Sequence, residues 1–437
     1  MKPTSPQTKQ PSRSADLLLQ IEKPIYGGAF LARDEGKAVF VPLVLPGEEA
    51  RVRIVEEKRG YSTAEAAEIV TTAAERVVPA CQHFGACGGC QYQHASYAAQ
   101  LDCKQAILRE TLERGGVQAP EDMAVLAAEP WGYRNRIRLA VDAEGNPGYR
   151  GQRSHAIVPI AECPIAAPLL VRAALAFAET LRKFLRSQRA SEISLFCDGE
   201  ESGLLAGLHS ASPAKLPIEQ LYRKLVESVP ELKGIEHISE GRSGRTPHTV
   251  SRWGADSLSY QAAGFPYRVD HGAFFQVNRY LIDGFVEHAT AGLEGALAWD
   301  LFAGVGLFAR RLAASFRRVI AVESAPAATA ALAHNLSGTV ASAVKAATLD
   351  FLRRTHRDER PDLIVVDPPR TGLGNETTAR LAEIAAPTLV YVSCDPATLA
   401  RDLRDLITAG YEIQEITLAD LFPQTFHIET IVRLHRP

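Results

Sequence analysis

The C-terminal part of the chain, residues 266–437, alternates short apolar runs with stretches of helical periodicity. Near-continuous apolar runs are typical of strands covered on both faces, as in a parallel sheet flanked by helices. The apolar runs are LAWDLF, RRVIAVES, DLIVVDPP and TLVYVSCD, and the helical stretches include TTARLAEIAA and PATLARDLRDLI. YEIQEITLADLF and HIETIVRLHR follow with no helix between them, so we expect an antiparallel hairpin at the sheet edge. The pattern predicts a Rossmann-like α/β domain.

The N-terminal part has a different pattern. Residues 16–76 alternate apolar and polar positions in short pieces, interrupted by turn signals at Gly27-Gly28, Glu35-Gly36 and Pro46-Gly47. This spacing predicts a small, OB-like β-barrel, a class of domain that binds RNA in some proteins and not in others. Residues 1–15 are polar and are predicted to be a flexible tail.

Residues 77–265 contain both helix-like and strand-like patterns, which predict an α+β central domain. A helix is expected from Tyr97 to Arg114, because Gly115-Gly116 supplies a stop signal. The stretch YRNRIRLAVDAEGNPGYRGQRSH is rich in arginine, at positions Arg134, Arg136, Arg138, Arg150 and Arg153. It fits either a hairpin that faces phosphate or a solvated strand face, and the second is the commoner case.

Composition narrows the class of protein. The chain has 437 residues and a net charge of −3, so any nucleic-acid surface is local. No run reaches the roughly 18 apolar residues that a membrane span needs, and the start does not read as a secretory signal. We therefore expect a cytoplasmic protein that does not enter membranes. An odd count of seven cysteines in that compartment favours metal binding or catalysis over disulfides.

The stretch DLFAGVGLFAR indicates a ligand-binding turn between a strand and a helix. Gly304 and Gly306 allow a ligand to approach the backbone closely, and Glu323 ends the next strand, where a carboxylate can bind ribose hydroxyls. This arrangement is found in proteins that bind NAD and in proteins that bind S-adenosylmethionine. The loop alone does not decide between NAD and S-adenosylmethionine.

The stretch VVDPPRTGL adds a stiff loop at the same edge of the predicted sheet. Asp367 follows a strand, and Pro368-Pro369 restrict the backbone behind it. An acceptor held rigidly beside the cofactor suits an enzyme that grips a planar, nitrogen-containing ring, whereas a dehydrogenase has no particular need of one. The order of the motifs therefore favours methyl transfer over hydride transfer.

Cys394 follows the next predicted strand, and Glu429 falls at the same edge if the last strand pairs antiparallel beside it. This pair suits methylation of carbon 5 of uracil, which is a poor nucleophile. A thiolate that adds to carbon 6 makes carbon 5 nucleophilic, and a base then removes the carbon 5 proton so that the thiol can leave. Because a thiol has a pKa of about 8.5, we expect the helix that begins at Pro396 to raise the thiolate fraction.

The sequence resembles the RNA 5-methyluridine methyltransferases from residue 16 to the end. The stretches that carry the resemblance are AFFQVNRYL, DLFAGVGLFA, VVDPPRTGL, VSCDPATLARDL and LFPQTFHIETIVRL. The resemblance implies that Cys394 is the nucleophile and Glu429 the general base. It also implies contacts with S-adenosylmethionine from Gln276, Phe302, Gly304, Glu323, Asp350 and Asp367. Leu307 departs from the pattern, since relatives often have asparagine there.

The cysteine cluster comprises Cys81, Cys87 and Cys90, with Cys163 farther along the chain. The spacing alone fits zinc and an iron–sulfur cluster equally well. The resemblance to family members with this arrangement implies a [4Fe–4S] cluster. It also implies that residues 16–76 form a TRAM domain and that helix 97–114 packs on the catalytic domain.

The expected partner is RNA, with no obligate protein partner. The barrel together with the cysteine cluster resembles the enzymes of 23S ribosomal RNA more than those of tRNA, which remain an alternative. Two further alternatives are an NAD-linked oxidoreductase and a non-catalytic RNA-binding protein. The presence of both Cys394 and Glu429 argues against the second of these.

Overall fold

The structure, a computed structural model, describes residues 16–184, 190–211, 216–240, 247–355 and 359–437. The predicted tail, residues 1–15, lies outside the described residues. The chain divides into two compact units. The described part of the first comprises residues 16–85, Cys90–Ile107 and Gln424–Phe426, and the second comprises Ala86–Gly89, Leu108–Pro423 and His427–Pro437.

The first unit contains a closed barrel of five strands, which confirms the predicted β-barrel. The strands are β1 (Leu17–Ile25), β2 (Ala29–Asp34), β3 (Lys37–Pro42), β4 (Glu49–Glu57) and β5 (Tyr61–Thr71). They close in the order β1-β2-β3-β5-β4, so that β3 and β5 pair in parallel and the other neighbours are antiparallel. Full closure leaves no strand edge open for pairing with another chain.

Helix α1 (Tyr97–Arg114) has the predicted bounds. Its first part belongs to the first unit, where Ala99 and Cys103 lie in the core of the barrel. Its last turns belong to the second unit. There a Cβ atom on Gly115 would come within 2.6 Å of the Ala400 Cβ, so only glycine allows this close approach. Packing of the whole helix on the catalytic domain stays a prediction.

The second unit begins with a mixed central region. Its elements are β6 (Ala124–Leu126), β7 (Arg136–Val141), β8 (Pro147–Arg150), β9 (Ile157–Pro159), α2 (Pro168–Phe184), β10 (Glu192–Cys197), β11 (Leu204–Ser210), α3 (Ile218–Val226), β12 (Leu232–Ser239) and β13 (His248–Gly254). Seven of the strands form one sheet in the order β13-β12-β11-β10-β7-β8-β9. Residues of α2 and α3 share a hydrophobic core with alternate residues of β7, β10 and β11. This sheet confirms the α+β texture of the region.

The remaining elements form a two-stranded hairpin and most of a second, larger sheet with its helices. They are β14 (Ser257–Ala262), β15 (Phe265–Asp270), α4 (Ile282–Thr290), β16 (Gly295–Leu301), α5 (Leu307–Leu312), β17 (Phe316–Glu323), α6 (Pro326–Asn335), β18 (Ala341–Lys345), α7 (Thr348–Arg354), β19 (Leu363–Val366), α8 (Gly374–Ile384), β20 (Thr388–Ser393), α9 (Pro396–Thr408), β21 (Glu412–Ala419) and β22 (Glu429–His435). The sheet order is β18-β17-β16-β19-β20-β22-β21-β6, with β16 to β20 parallel. The predicted Rossmann-like domain is therefore confirmed.

The last strand lies between β20 and β21 and runs antiparallel to both. Its register pairs Ser393 with Thr430, so the end of β20 lies beside the start of β22. The hairpin is not at the sheet edge, because β6 pairs in parallel with β21 beyond it. The prediction that this hairpin forms the edge of the sheet was therefore wrong, since the short strand β6 lies beyond it. None of the helices in the described part of the chain combines the length and apolarity needed to cross a bilayer.

Candidate active site

The loop between β16 and α5 has a strongly turned backbone. Phe302, Gly304 and Gly306 all have positive φ angles, of 66°, 56° and 91°. A residue other than glycine pays on the order of 1 kcal/mol or more in this conformation. The surrounding loop must therefore hold Phe302 in place, and the hydrogen bond from Ala303 N–H to the Val322 carbonyl, 2.9 Å, contributes to this.

The two glycines of this loop are needed for different reasons. A Cβ atom on Gly306 would lie 2.7 Å from Leu332 Cδ1, so this glycine permits the approach of α6. A Cβ atom on Gly304 would meet nothing within 4 Å. The space beside Gly304 is therefore open to a ligand.

Glu323, the last residue of β17, lies against the same loop. Its Oε2 accepts the Gly304 N–H at 2.9 Å, and its Oε1 accepts the N–H groups of Ser324 and Ala325, both at 2.6 Å. These bonds fix the carboxylate beside the open space. The position agrees with the predicted role in ribose binding, which stays a prediction.

Asp300 is fully buried beneath the loop. Its Oδ2 accepts the Ala309 N–H at 2.8 Å, while its Oδ1 is buried without a hydrogen-bond partner. Burial raises the pKa of Asp300 to about 7, and the charges of Asp367 and Glu323 act in the same direction against the bond from Ala309. The carboxyl group beneath the glycine loop therefore binds a proton more tightly than the carboxyl group of an exposed aspartate does.

This burial predicts a pH-dependent stability. The folded pKa of Asp300 lies above its unfolded value, so its contribution is complete at low pH and is lost as the pH rises through 7. Between pH 6 and pH 8 we expect Asp300 to remove about 1 kcal/mol from the free energy of unfolding. Urea unfolding without cofactor should therefore show a smaller loss in Asp300→Asn than in the wild type. An equal loss in both proteins would contradict the assignment.

Asp367 follows β19 and opens the loop that contains the two prolines. Its N–H donates to the Leu301 carbonyl at 3.3 Å, which ties this loop to the strand before the glycine loop. Burial raises the pKa of Asp367 to about 7. On the other side, the Thr398 hydroxyl donates to the Arg370 carbonyl at 3.1 Å, which ties the loop to α9.

Cys394 lies between β20 and α9, as predicted. The next residue, Asp395, caps α9: its Oδ1 accepts the N–H groups of Ala397 at 3.1 Å and Thr398 at 2.9 Å. Pro396 occupies the first turn, where its missing N–H costs nothing. The thiol itself is partly buried.

Glu429 is the first residue of β22 and is 5% exposed. Burial raises its pKa well above the ordinary value, and Asp367 acts in the same direction while Arg370 opposes it. Burial also raises the pKa of the Cys394 thiol to about 12, with further contributions from Glu429 and Asp367 and an opposing one from Arg370. The structure thus brings Cys394, Glu429 and Asp367 into one electrostatic site.

The predicted effect of the helix at Pro396 on the thiolate fraction stays a prediction. Asp395 already accepts the first N–H groups of α9. The two nearby carboxyl groups and burial then outweigh Arg370 and hold the thiol in its protonated form at neutral pH.

Gln276 lies in the loop that precedes α4 and is 7% exposed. Its carbonyl accepts from Asn135 Nδ2 at 2.9 Å. Asn278 Nδ2 lies 3.4 Å from the carbonyls of both Asp420 and Leu421, in the segment that leads from β21 toward β22. The loop of Gln276 is therefore fixed to the segment before Glu429.

Comparison with known proteins identifies the family. The family model described as tRNA (Uracil-5-)-methyltransferase matches residues 241–437, and a TRAM domain model matches residues 17–67. The 23S rRNA (uracil(1939)-C(5))-methyltransferase RlmD of Halomonas elongata is 32% identical over 445 residues, which cover 96% of this chain and 89% of that protein. The chain belongs to the RNA (uracil-C5)-methyltransferase family.

Two further relatives agree with this membership. An RNA methyltransferase of Streptomyces avermitilis is 34% identical over 95% of this chain and 97% of its own length. The crystal structure of Pyrococcus abyssi tRNA (uracil-54, C5)-methyltransferase in complex with S-adenosyl-L-homocysteine superposes with a TM-score of 0.77. That protein is 25% identical, and the match covers 95% of this chain and 99% of that one.

The protein is therefore an S-adenosylmethionine-dependent RNA (uracil-C5)-methyltransferase. Family membership decides between S-adenosylmethionine and NAD, which the glycine loop left open. The methyltransferase family model covers the part of the chain that contains Cys394 and Glu429.

Two positions of the predicted cofactor site, Asp350 and Leu307, lie in helices. Asp350 lies in the first turn of α7, where its side chain is exposed and its Oδ1 is 3.5 Å from an Arg353 nitrogen. Leu307 begins α5, and its side chain lies in the hydrophobic core. Leu307 therefore offers no polar group to the cofactor of this methyltransferase, and the contact of Asp350 stays a prediction.

Sequence reasoning did not single out Arg370, although it is the last residue of the D-P-P-R motif. It is the positive charge that opposes the raised pKa values of Cys394 and Glu429. Its guanidinium lies 3.3 Å from His427 Nδ1. The motif itself was the available signal, because an arginine after two prolines has a restricted position.

The four predicted ligand cysteines are thiols and fall in both units. Cys81 and Cys90 belong to the first unit. Cys87 and Cys163 belong to the second, where burial and both sulfur atoms raise the pKa of the Tyr149 phenol. Cys87 and Cys163, distant in sequence, therefore lie beside the same phenol, and the donor set suits a metal that prefers sulfur.

Proposed function

We propose that this methyltransferase acts on carbon 5 of a uridine in 23S rRNA by covalent catalysis. The observation that carries the proposal is the placement of a thiol, Cys394, and a buried carboxyl group, Glu429, at the ends of adjacent strands. Relatives named for 23S rRNA match across 92–98% of this chain, in support of that substrate. The tRNA enzyme of Pyrococcus abyssi keeps tRNA as the alternative.

The proposed reaction begins with Cys394. Its sulfur adds to carbon 6 of uracil and makes carbon 5 an enolate carbon, which is nucleophilic enough to be methylated. S-adenosylmethionine supplies the methyl group together with a positive charge that favours ionised forms of acidic groups nearby. Glu429 then takes the proton from carbon 5, and the Cys394 sulfur leaves as the double bond re-forms.

The carboxyl groups of Asp367 and Glu429 have different proposed roles in proton transfer. Burial and the nearby carboxyl groups raise the pKa of the Cys394 thiol to about 12, so the thiol must lose its proton before it attacks carbon 6. Asp367, whose pKa is raised by burial to about 7, is the carboxyl group that we assign to accept that proton. Glu429 must act as a carboxylate later, when the carbon 5 proton is removed.

The other regions would bind the RNA. We propose residues 77–265 as the central RNA-binding domain, alongside the TRAM domain, with the reaction in the cytoplasm. A uridine inside folded RNA must be unstacked to reach Cys394, at a cost of a few kcal/mol. Binding energy from these domains would offset that cost, and RNA affinity should therefore fall as the salt concentration rises.

We also propose that Cys81, Cys87, Cys90 and Cys163 hold a [4Fe–4S] cluster. The cluster would hold the cysteine-containing segments in place, and the methyl transfer itself requires no electrons. Protein purified without oxygen should contain iron and sulfide and show the visible absorption of a cluster, and Cys163→Ala should lose it. One equivalent of zinc without iron would instead support the zinc alternative.

The RNA target is tested by mapping 5-methyluridine in ribosomal and transfer RNA from a strain that lacks the gene. We expect one or more sites in 23S rRNA to lose the methyl group and to regain it when the wild-type protein is supplied. Supplying Cys394→Ala should not restore it. Loss confined to tRNA would overturn the choice of substrate and leave the chemistry intact.

A further inference from the structure

A cavity of about 280 Å³ lies on one face of the central sheet, over β7, β10, β11 and β12. Alternate residues separate the two faces. Ile137, Leu195 and Ala206 belong to the hydrophobic core shared with α2 and α3. These three residues border the cavity, and so do Phe196 and Leu205, each one position along, which belong to a different hydrophobic core. Arg136, one position before Ile137, also lines the cavity. The cavity is thus built on the sheet face that α2 and α3 do not cover.

Arg136 places a positively charged side chain in the wall of this cavity. Its guanidinium carbon lies 4.4 Å from the centre of the Phe196 ring, in a cation–π contact. Its Nε is buried without a hydrogen-bond partner, and among the described residues no carboxylate pairs with the side chain. Burial lowers the pKa of Arg136 to about 10, with no charged neighbour acting against it.

The acidic groups around the cavity have partners other than Arg136. Glu236 Oε2 is 2.9 Å from an Arg252 nitrogen, and Asp270 Oδ1 is 2.6 Å from Arg268 Nε. Glu240 Oε1 is 2.6 Å from His209 Nδ1, and Arg138 bridges Glu240 and Glu192. Within the described residues Arg136 is therefore the cation of this cavity that no carboxylate pairs with.

We propose that this cavity binds a phosphodiester group of the substrate RNA, with Arg136 donating to its non-bridging oxygens. The proposal rests on the RNA methylation described above. A planar guanidinium held against an aromatic ring is oriented for two parallel hydrogen bonds to a phosphate. The volume is near the lower limit for ligand pockets, about 300 Å³, which leaves room for a phosphate and part of its ribose.

The cavity has a rigid connection to the predicted cofactor loop. Asn135, directly before Arg136, donates to the Gln276 carbonyl at 2.9 Å. Phe196 stacks on Tyr260 with ring centres 6.1 Å apart, and Tyr260 contacts Phe275 at 4.5 Å. A phosphate bound at Arg136 would therefore hold the RNA strand at a fixed offset from Gln276.

The proposal predicts effects of opposite sign on RNA affinity and on stability. Arg136→Met keeps a long side chain over Phe196 but removes the charge. We expect the Kd for RNA to rise about tenfold, because one charge-assisted contact is lost. The slope of log affinity against log salt should also become shallower by about 0.7, the value for one phosphate on a single strand. Thermal unfolding without RNA should occur at a higher temperature, because an unpaired buried charge is removed.

Two further variants complete the test. Arg136→Lys keeps the charge and should retain the salt slope of the wild type. Arg172→Met removes an exposed arginine of α2 that pairs with Glu231 at 2.7 Å, and it should leave both the RNA Kd and the slope unchanged. Binding of S-adenosylhomocysteine should be equal in all four proteins, which would exclude the cofactor as the occupant.

A salt slope in Arg136→Met equal to that of the wild type would overturn the phosphate site, as would a shallower slope in Arg136→Lys. A lower unfolding temperature in Arg136→Met would also overturn it, since that result assigns Arg136 to structure. The same preparations are assayed for 5-methyluridine in RNA. If the wild-type protein methylates uridine but the Arg136 variants do not give the expected results, the phosphate site alone is refuted. If the wild-type protein does not methylate uridine, the proposed function is refuted.

Discussion

Replacing Cys394 by alanine is expected to lower the turnover number for uridine methylation by about 10⁴-fold or more. The nucleophile generates the enolate that makes carbon 5 reactive, so no other group of the site can substitute for its sulfur. Binding of S-adenosylhomocysteine and of RNA should remain, because Cys394 carries neither function. The measurement is the transfer of labelled methyl groups to RNA, with binding followed separately.

A matched control removes a different thiol. Cys197 is fully buried in the core of the central sheet, and Cys197→Ala should cost some stability but retain methyl transfer within a few-fold. Measurable turnover by Cys394→Ala, beyond what trace wild-type protein explains, would show that the reaction does not pass through this sulfur.

Replacing Glu429 by glutamine should stop the reaction after methylation. The amide has nearly the shape of the carboxyl group but cannot accept the carbon 5 proton, so elimination of Cys394 stalls. We expect turnover to fall by about 10²–10⁴-fold while a covalent protein–RNA complex accumulates. Denaturing electrophoresis measures the complex, and nuclease digestion should release a methylated nucleotide still bound to protein.

The control for this variant is Glu412→Gln, on the strand next to β22. Glu412 is exposed, and its strand pairs it with His435 at the far end of β22 from Glu429. It should turn over at the rate of the wild type and form no stable complex. If Glu429→Gln lost turnover without accumulating a complex, the base would have to be assigned elsewhere or Glu429 would be needed at an earlier step.

The junction around Cys394 was predictable because its signals are local. A buried run and a proline in the first turn each act within a few residues, and β20 and α9 form as expected. The neighbouring position of β22 was also predictable, since two strands without an intervening helix pair antiparallel. These two features placed Glu429 at the same edge as Cys394.

The features that were not predictable depend on residues far apart in the sequence. Strand β6 has three residues, too few to show periodicity, and it pairs with β21 almost three hundred positions later. The raised pKa of Cys394 arises from burial and from carboxyl groups on two other strands. These contributions cannot be inferred from the residues next to Cys394 in the sequence.

The lack of a carboxylate partner for Arg136 could not be predicted from the sequence either. The alternation in β7 predicts that Arg136 and Arg138 share one face of the strand. Whether each has a carboxylate partner depends on strands β10 and β11 and on the residues that follow β12. Arg138 has such partners and Arg136 has none among the described residues, and this difference appears only in the folded chain.

The central claim is that Cys394 forms a transient bond to carbon 6 of the target uridine. RNA that carries 5-fluorouridine tests it directly, because fluorine cannot leave as a proton does and elimination is blocked. After incubation with this RNA and S-adenosylmethionine, digestion and mass spectrometry should find a methylated fluorouridine attached to the peptide that contains Cys394. Absence of an adduct from an active preparation, or attachment at any other residue, would contradict the claim.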